Sequence, residues 1–344
     1  MIHYQDATIT GLFVHRVGNQ TEGEILMLTE TSVNVKRQEL QDIVKRYIGN
    51  PFSSPEYFVF DEHAVHPLWK AAKAIFSKPA SLHEQSKAIA QHHYETAIDI
   101  SIDAGDLMIA HLKDVKVDGE LTDAVAICKI ENREDFILLN EEDDHYTLDI
   151  LAGLNVNKPD KGCLILNLKE EEGFRVCQVD KGLRFGASGY WKEDFLKVKP
   201  AVDSYHDTKN FMELTRSFVA ERMSEEFEVD RADQADLLNR SIHYLKQNDK
   251  LDEENFGATV FGDPGVVESF KDYKNHYQQE FAVEIPQDFS ISDQAVKKQA
   301  RIFKSVLKLD KNFHIYIHGN RNMIQKGEDE GGRKYYKIFY NQEL

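Results

Sequence analysis

The spacing of apolar residues changes near residue 200, and this change constrains the fold more than any other feature of the sequence. Before that point, short apolar runs between polar turns predict an antiparallel sheet flanked by helices. After it, apolar residues recur at the 3.6-residue period of α-helices. We therefore predict an α+β fold with a domain boundary at Lys199–Ala201. The N-terminal mixed domain, 1–200, carries the antiparallel sheet, and the mainly helical C-terminal domain, 201–344, ends in a β-hairpin.

The same patterns predict the individual elements. The predicted strands of the first domain are Thr8–Val17, Glu24–Leu28, Leu107–Leu112, Ala124–Ile130, Phe136–Leu139, Tyr146–Leu151, Cys163–Leu168 and Phe174–Val179, and its predicted helices are Glu39–Ile48, His66–Phe76 and Ser81–Thr96. Ser81 and Glu84 fit a capping box at the start of the third helix. The predicted helices of the second domain are Asp207–Met223, Ala232–Gln247, Pro264–Tyr277 and Ser292–Leu309, and its terminal hairpin pairs Phe313–Ile317 with Tyr335–Tyr340.

Charge is unevenly distributed along the sequence. The formal net charge is −17 over 344 residues, which opposes binding to a polyanion. Residues 291–344, however, hold 11 Lys and Arg against 6 Asp and Glu, whereas residues 1–290 hold 31 against 53. This basic C-terminal segment, 291–344, is therefore the part of the chain that can attract an anionic partner.

Five basic residues recur at helical spacing within the basic C-terminal segment. They are Lys297, Arg301, Lys304, Lys308 and Lys311, and we call them the basic stripe because they would form one line along an α-helix. Lys298, beside the stripe, is included among the DNA-binding candidates. DNA phosphates, an acidic partner protein or the chain's own acidic residues would each accept these charges, and a solvated basic face is the common alternative.

Aromatic and basic residues alternate in the two strands predicted after this helix. Tyr316 and His318 point to one side of the first strand, and Tyr335, Lys337 and Phe339 share a face of the second. Aromatic rings beside Lys and His can stack bases and bind phosphates, although ordinary strand residues give the same pattern. We add Tyr316 and His318 to the predicted DNA-binding residues.

Two clusters could hold a metal ion instead. Asp61, Glu62, His63 and His66 combine carboxylates and imidazoles, and a solvated loop before a helix is the alternative. Carboxylates are also dense over residues 103–135, near Lys113 and Lys129, as in metal-dependent nucleases, although most lie at strand ends where exposure explains them. The second group comprises Asp103, Asp106, Asp114, Asp118, Glu120, Asp123 and Glu131. We predict no metal site, no cofactor and no catalytic residue.

Signatures of several other classes are missing. The sequence has no G-x-x-x-x-G-K-[ST], G-x-S-x-G or H-E-x-x-H motif. Its three cysteines, Cys128, Cys163 and Cys177, lack C-x-x-C spacing and lie in apolar runs, which predicts reduced and buried thiols. No run approaches 18 apolar residues and the N-terminus has no basic leader, so we expect neither a membrane span nor a signal peptide.

Several long strings of the sequence are similar to those of one bacterial family. They are Val14–Asn19, Lys161–Ile165, Tyr190–Leu196, Val229–Asn239, Ala295–Arg301 and Lys304–Ile315. On these strings the chain resembles the bacterial 37-kDa nucleoid-associated protein family (YejK/NdpA-like), in its Bacteroidetes-type branch. The strings are spread over the chain rather than confined to one patch.

The resemblance implies a cytoplasmic protein that is located at the nucleoid and associates with DNA, without established catalytic activity and without a cofactor. It supplies no DNA-contacting residues, so the candidates above come from the stripe and the strands. We predict a non-enzymatic protein that binds DNA through a C-terminal basic helix and hairpin. The alternatives are a protein-interaction module brought to the nucleoid by a DNA-acting partner and, third, a metal-dependent nuclease. A protein partner and a homo-oligomer are left open.

Overall fold

The chain divides into two units, Met1–Ala201 and Val202–Leu344. This division is seen in a computed structural model that describes residues 2–52, 56–157, 159–181, 189–300, 303, 306–309, 313–316 and 323–342. No helix in those ranges is both long enough and apolar enough to span a membrane.

The first unit contains most of the strands. They are β1 (Ile2–His3), β2 (Thr8–Val17), β3 (Leu26–Met27), β4 (Phe58–Phe60), β5 (Gly105–Val117), β6 (Glu120–Ile130), β7 (Glu134–Glu142), β8 (His145–Gly153), β9 (Lys161–Leu166), β10 (Arg175–Asp180) and β11 (Val198–Pro200). Its helices are α1 (Gln38–Gly49), α2 (Pro67–Ser77) and α3 (Leu82–Thr96). Nine of these strands form one sheet in the order β11-β4-β10-β9-β6-β5-β2-β3, with β1 beside β5, and the neighbours pair antiparallel.

Both faces of this sheet are covered, which explains why its central strands are apolar on both sides. In β6, Val125 and Ile127 share a buried cluster with residues of α2 and α3. The alternating Ala126 and Cys128 share a second cluster with residues of α1. Because side chains alternate across a strand, the continuous apolar run of β6 is what a sheet buried on both faces requires.

A buried group of charged and polar side chains lies where β6 and β9 run side by side. Lys129 is fully buried, and its Nζ lies 2.9 Å from Glu131 Oε1, 2.9 Å from Tyr190 Oη and 2.6 Å from the carbonyl oxygen of Asp103. Lys161 Nζ lies 2.7 Å from the other oxygen of Glu131. Burial lowers the pKa of Lys129, and the Glu131 carboxylate opposes that shift. We call Lys129, Glu131, Lys161 and Tyr190 the Lys129 network.

The second unit is mainly helical. It contains α4 (Ser204–Ser217), α5 (Met223–Glu226), α6 (Arg231–Gln247), α7 (Glu253–Phe256), α8 (Pro264–Glu280) and α9 (Asp293–Gln299), with strands β12 (Lys250–Asp252), β13 (Asp288–Ser290), β14 (Val306–Leu309), β15 (Phe313–Tyr316), β16 (Ile324–Glu328) and β17 (Lys334–Ile338). A core of aromatic rings joins its helices, and Phe211 meets Phe256 edge to face at 4.8 Å between ring centres. The α+β class, the antiparallel sheet and the largely helical C-terminal half are therefore confirmed.

Three local predictions are wrong. The helix predicted over Ser292–Leu309 ends at Gln299, and Val306–Leu309 is a strand. The two predicted hairpin strands do not pair with each other, because Phe313–Tyr316 pairs with β14 and Lys334–Ile338 pairs with β16. Ser81 makes no cap for α3, and its Oγ donates to the carbonyl of Ala74 at 3.2 Å instead.

Candidate nucleic-acid interface

Strands β16 and β17 form a hairpin near the C-terminus whose two faces differ. The antiparallel register places Gln325 opposite Lys337, Gly327 opposite Tyr335, and Ile324 opposite Ile338. Because side chains alternate along each strand, the first two pairs lie on one face and the third lies on the other.

The inner face of this hairpin packs on the start of α6. Ile324 is 6% exposed and lies with Ala232 and Ala235 in one cluster, against which Tyr336 also packs. The two alanines leave room for close approach of the hairpin. The start of α6 is itself fixed by a capping box, in which the Asp230 carboxylate accepts the N–H groups of Ala232 and Asp233. The hairpin is therefore held against a well-defined helix.

The outer face presents two aromatic rings and a lysine to solvent. Tyr335 is 48% exposed and Phe339 is 41% exposed. The Nζ of Lys337 lies 5.0 Å from the centre of the Phe339 ring. A Cβ added to Gly327 would lie 2.4 Å from the Tyr335 ring, so this ring lies directly over the glycine backbone. We call Tyr335, Lys337 and Phe339 the aromatic–lysine face, which agrees with the face-sharing predicted from their alternation.

Two further lysines, Lys326 and Lys334, belong to the other face of the hairpin, the side of Ile324 and Tyr336. Lys326 and Lys334 are exposed on the hairpin, and neither they nor Lys337 form an ion pair with a carboxylate in the described part of the chain. Arg333 differs, because its Nε lies 2.8 Å from Asp329 Oδ2 in the hairpin turn. Hydrogen bonds from the backbone of Arg333 hold the pKa of Asp329 below its usual value, so this carboxylate stays ionised. Three lysines of the hairpin are thus available to an anion.

The basic stripe does not lie on one helix. Lys297 and Lys298 are exposed on α9, and Lys308 lies on β14, opposite His314 of β15. Tyr316 is the last residue of β15 and pairs with Val306. The remaining predicted DNA-binding residues, Arg301, Lys304, Lys311 and His318, lie outside the described residues.

A competing sequence pattern explains why the predicted helix is wrong. Val306–Leu309 and Phe313–Tyr316 are two apolar-rich runs that pair from Leu309 opposite Phe313 outward. The residues between them, 310–312, are Asp, Lys and Asn, and both Asp and Asn favour turns. A strand–turn–strand pattern therefore overlaps the helical spacing of the lysines, and β-branched Val306 favours the strand.

Two of the carboxylates of residues 103–135, Asp106 and Glu131, are engaged with separate cationic partners in the first unit. Asp106 pairs with Arg16 at 3.5 Å and with Arg133 at 2.8 Å. Glu131 belongs to the Lys129 network. Lys129, which the nuclease hypothesis placed beside these carboxylates, is fully buried in the same network. Among the described residues, no three His, Cys, Asp or Glu side chains are grouped so that they could hold a metal ion.

The two histidines before α2, His63 and His66, contact residues in the first turn of that helix. His66 is 4% exposed, and its Nδ1 accepts the N–H of Leu68 at 3.2 Å. Burial lowers the pKa of His66 to about 4, so this imidazole is neutral at pH 7. The ring of His63 packs against Trp69 at 5.4 Å between ring centres. His66 is therefore a buried helix cap whose ring stacks on Phe60 at 4.7 Å between ring centres.

Two comparisons with known proteins bear on this arrangement. Comparison of the sequence with curated proteins finds no match. A family model described as nucleoid-associated protein YejK (NA37) matches residues 13–337, from within β2 to within β17. The Bacteroidetes-type branch stays a prediction, whereas the predicted family and the location at the nucleoid follow from this match. Because the matched range covers far more than half of the 344 residues, the chain belongs to the YejK (NA37) family of nucleoid-associated proteins.

Proposed function

We propose that this nucleoid-associated protein is not an enzyme and contacts DNA directly through its basic C-terminal segment. The observation that carries the proposal is the aromatic–lysine face, together with the exposed Lys326 and Lys334 on the other face of the same hairpin. Lysines without carboxylate partners in the described structure can neutralise DNA phosphates, and exposed rings can stack on unpaired bases. Family membership supports an association with DNA, and the geometry supports this surface as its site.

The residues predicted from the sequence belong to the same proposal. Lys297, Lys298, Arg301, Lys304, Lys308 and Lys311 would add phosphate contacts, and Tyr316 and His318 would add polar and stacking contacts. They are proposed as members of the basic C-terminal segment, although they do not lie on the single helix that was predicted for them. Phosphate contacts do not require all these side chains to lie on one helix, because the contacts depend on accessible positive charge.

The non-enzymatic part of the proposal rests on how the candidate catalytic groups are used. Glu131 is shared by Lys129 and Lys161, and Asp106 is shared by Arg16 and Arg133. Each of these carboxylates already has cationic partners that a divalent ion would have to displace. Magnesium-dependent nicking of plasmid DNA by the pure protein would refute this part and favour the nuclease alternative.

The salt dependence of DNA binding tests the contact surface. We expect a triple variant, Lys326→Ala, Lys334→Ala and Lys337→Ala, to flatten the log–log salt slope for duplex DNA by roughly 2 to 3 units, because each phosphate contact contributes about 0.9. A second variant, with Ala at the five stripe positions, measures the contribution of the stripe separately. The matched control removes three exposed lysines of the first unit, Lys36, Lys78 and Lys116.

The outcomes separate direct DNA binding from recruitment. If neither C-terminal variant changes the slope more than the control does, the basic C-terminal segment is not the DNA-binding surface. If the pure wild-type protein binds no DNA even at 25 mM salt, the alternative of a module recruited by a DNA-acting partner is favoured. Replacing Tyr335 and Phe339 with Leu should weaken binding to single-stranded DNA more than binding to duplex, since only unpaired bases can stack on the rings.

A further inference from the structure

Three polar side chains form a line across neighbouring strands of the large sheet. Strands β2, β5 and β6 lie side by side and carry Thr10, His111 and Asp123 respectively. His111 is 1% exposed, whereas Thr10 is exposed to solvent. Thr10 Oγ1 lies 2.6 Å from His111 Nδ1, and His111 Nε2 lies 3.5 Å from Asp123 Oδ2. We call these residues the Thr10 triad, because a hydroxyl, an imidazole and a carboxylate in this order can activate the hydroxyl as a nucleophile.

A β-bulge places Thr10 beside His111. In the pairing of β2 with β5, Ile9 lies opposite Leu112 and Gly11 lies opposite His111, so Thr10 is an extra residue between two paired positions. A bulge of this kind bends the strand and redirects a side chain, and bulges are over-represented next to active sites. The contact between the hydroxyl and the imidazole therefore depends on a local departure from the regular register.

The protonation of His111 suits a proton acceptor. Because the Asp123 carboxylate faces Nε2, we assign the proton of the neutral ring to Nε2, and Nδ1 then accepts the Thr10 hydroxyl. Burial lowers the pKa of His111, the charge of Lys113 adds to that shift, and the Asp123 carboxylate opposes it. The ring is neutral at pH 7, so Nδ1 can take a proton from Thr10.

A second hydroxyl–imidazole pair in the same unit has the opposite arrangement. Ser86 Oγ lies 3.0 Å from His15 Nε2, and both residues are fully buried. His15 Nδ1 accepts the N–H of Thr29 at 3.1 Å, so Nε2 carries the ring proton and donates to Ser86. This imidazole cannot take the proton of Ser86, and no reagent can reach the hydroxyl. Thr10 differs in both respects.

We propose that Thr10 accepts an acyl group from an activated carboxylic ester. The Thr10 oxygen attacks the acyl carbon while its proton passes to His111 Nδ1. The new C–O bond forms, the bond to the leaving alcohol breaks, and His111 returns the proton to that alcohol. Asp123 is a positioning residue, which orients the ring and stabilises the imidazolium. The product is a threonine ester, and one acyl transfer to the chain itself is compatible with the non-enzymatic function proposed above.

Acetylation of the full-length protein by p-nitrophenyl acetate tests the proposal. We expect a burst of one equivalent of p-nitrophenolate and one acetyl group on the peptide that contains Thr10, located by mass spectrometry. Neutral hydroxylamine should remove this acetyl group, because it cleaves an ester and leaves the amides of acetylated lysines intact. Thr10→Val should abolish the burst. The matched control is Thr8→Val, which removes another exposed threonine of the same strand and should leave the burst unchanged.

Reaction rates distinguish an activated hydroxyl from one that is only exposed. His111→Gln should slow the acetylation of Thr10 by at least about 100-fold, which is the smaller end of what a general base contributes. Asp123→Asn should move the midpoint of the pH–rate profile to lower pH, because the Asp123 carboxylate raises the pKa of His111. A role of Asp123 in packing alone would leave that midpoint in place.

The outcomes bear separately on this proposal and on the proposed function. The absence of an ester-linked acetyl group at Thr10 overturns the proposal, and so does acetylation that a folded His111→Gln variant carries out at the wild-type rate. If wild-type protein releases p-nitrophenolate beyond the first equivalent and Thr10→Val does not, the threonine ester is hydrolysed. That result supports Thr10 as the nucleophile and overturns the non-enzymatic part of the proposed function instead.

Discussion

Replacing Glu131 with Gln should strongly destabilise the first unit. Glu131 is the only carboxylate within 3 Å of both Lys129 and Lys161 among the described residues, at 2.9 and 2.7 Å. At an effective dielectric constant near 20, each pair is worth about 6 kcal/mol of Coulomb attraction. The desolvation of the carboxylate offsets several kcal/mol of that gain, and breaking a buried pair by removing one partner costs about 3–5 kcal/mol net. We expect the free energy of unfolding to fall by that amount.

Tryptophan fluorescence reports this loss specifically. Both tryptophans of the chain, Trp69 and Trp191, lie in the first unit, and Trp191 adjoins Tyr190 of the Lys129 network. A loss of 3–5 kcal/mol in a unit of this size lowers the melting temperature by roughly 10 °C. The control is Glu120→Gln, an exposed position at the start of β6, which should change stability by less than about 0.5 kcal/mol.

The pH dependence distinguishes electrostatics from packing. Burial already lowers the pKa of Lys129 below its usual value of 10.5, so the unfolded chain binds more protons in the alkaline range and stability from this group rises with pH. Without Glu131 the pKa of Lys129 falls further, and Lys129 can lose its proton nearer to neutrality. The deficit of the Gln variant should therefore shrink between pH 7 and pH 9.5. A deficit below 1 kcal/mol, or one that does not change with pH, would refute the electrostatic explanation.

Three further predictions concern buried groups and the proposed DNA-binding face of the C-terminal hairpin. Thiol reagents should label Cys128, Cys163 and Cys177 only after unfolding, since all three are buried and burial raises the pKa of Cys128 to about 12; rapid labelling of the native protein would contradict this. The first unit should lose stability as pH falls from 6.5 to 4, because the pKa of His66 is about 4 when folded and 6.5 when unfolded, and His66→Gln should reduce that slope in urea titrations. Gly327→Ala should displace the Tyr335 ring, which lies where the new methyl group would be, and weaken single-stranded DNA binding several-fold with an unchanged melting temperature of the first unit; unaltered affinity would show that the ring is not used.

Hydrophobic periodicity was sufficient to predict the elements that bury a regular face. Helix α8 begins at Pro264, as predicted, and Asp263 caps it by accepting the N–H of Gly265 at 2.8 Å. Strand β5 extends beyond its predicted apolar run at both ends, and β6 begins before its predicted run and ends with it at Ile130. Strand pairing continues into polar residues that a hydrophobic pattern does not mark. Periodicity therefore locates an element better than it locates its ends.

Strand pairing in the C-terminal half could not be predicted from the same patterns. Strand β16 has the sequence Ile-Gln-Lys-Gly-Glu, with one apolar residue, so no alternation identifies it as the partner of β17. The predicted pairing of Phe313–Ile317 with Tyr335–Tyr340 left out this intervening strand. The face shared by Tyr335, Lys337 and Phe339 was nevertheless predictable, because alternation within one strand does not depend on the identity of its partner.

The role of a charged residue was the hardest property to infer. Lys129 lies within an apolar run and was compatible with a nuclease lysine. Two of its three partners, Tyr190 and the Asp103 carbonyl, are distant in the sequence, so the pattern around Lys129 could not reveal them. The capping box gives a second example, since Ser81 with Glu84 matched the usual motif, whereas Asp230 with Asp233 forms the box at α6. A carboxylate can accept the same N–H groups as a hydroxyl, so the motif in its usual form is too narrow.

A strongly acidic chain can associate with DNA only if its basic part acts over short distances. Repulsion between DNA and the 53 acidic residues of 1–290 acts at long range and is screened beyond about 8 Å at physiological salt. The proposed contacts between hairpin lysines and phosphates would form at hydrogen-bond distance, well within that length. Added salt therefore weakens the repulsion and the contacts together, and the measured slope is shallower than the number of contacts implies. For this reason, the difference in slope between a variant and the wild type measures the contacts, whereas an affinity at one salt concentration combines both effects.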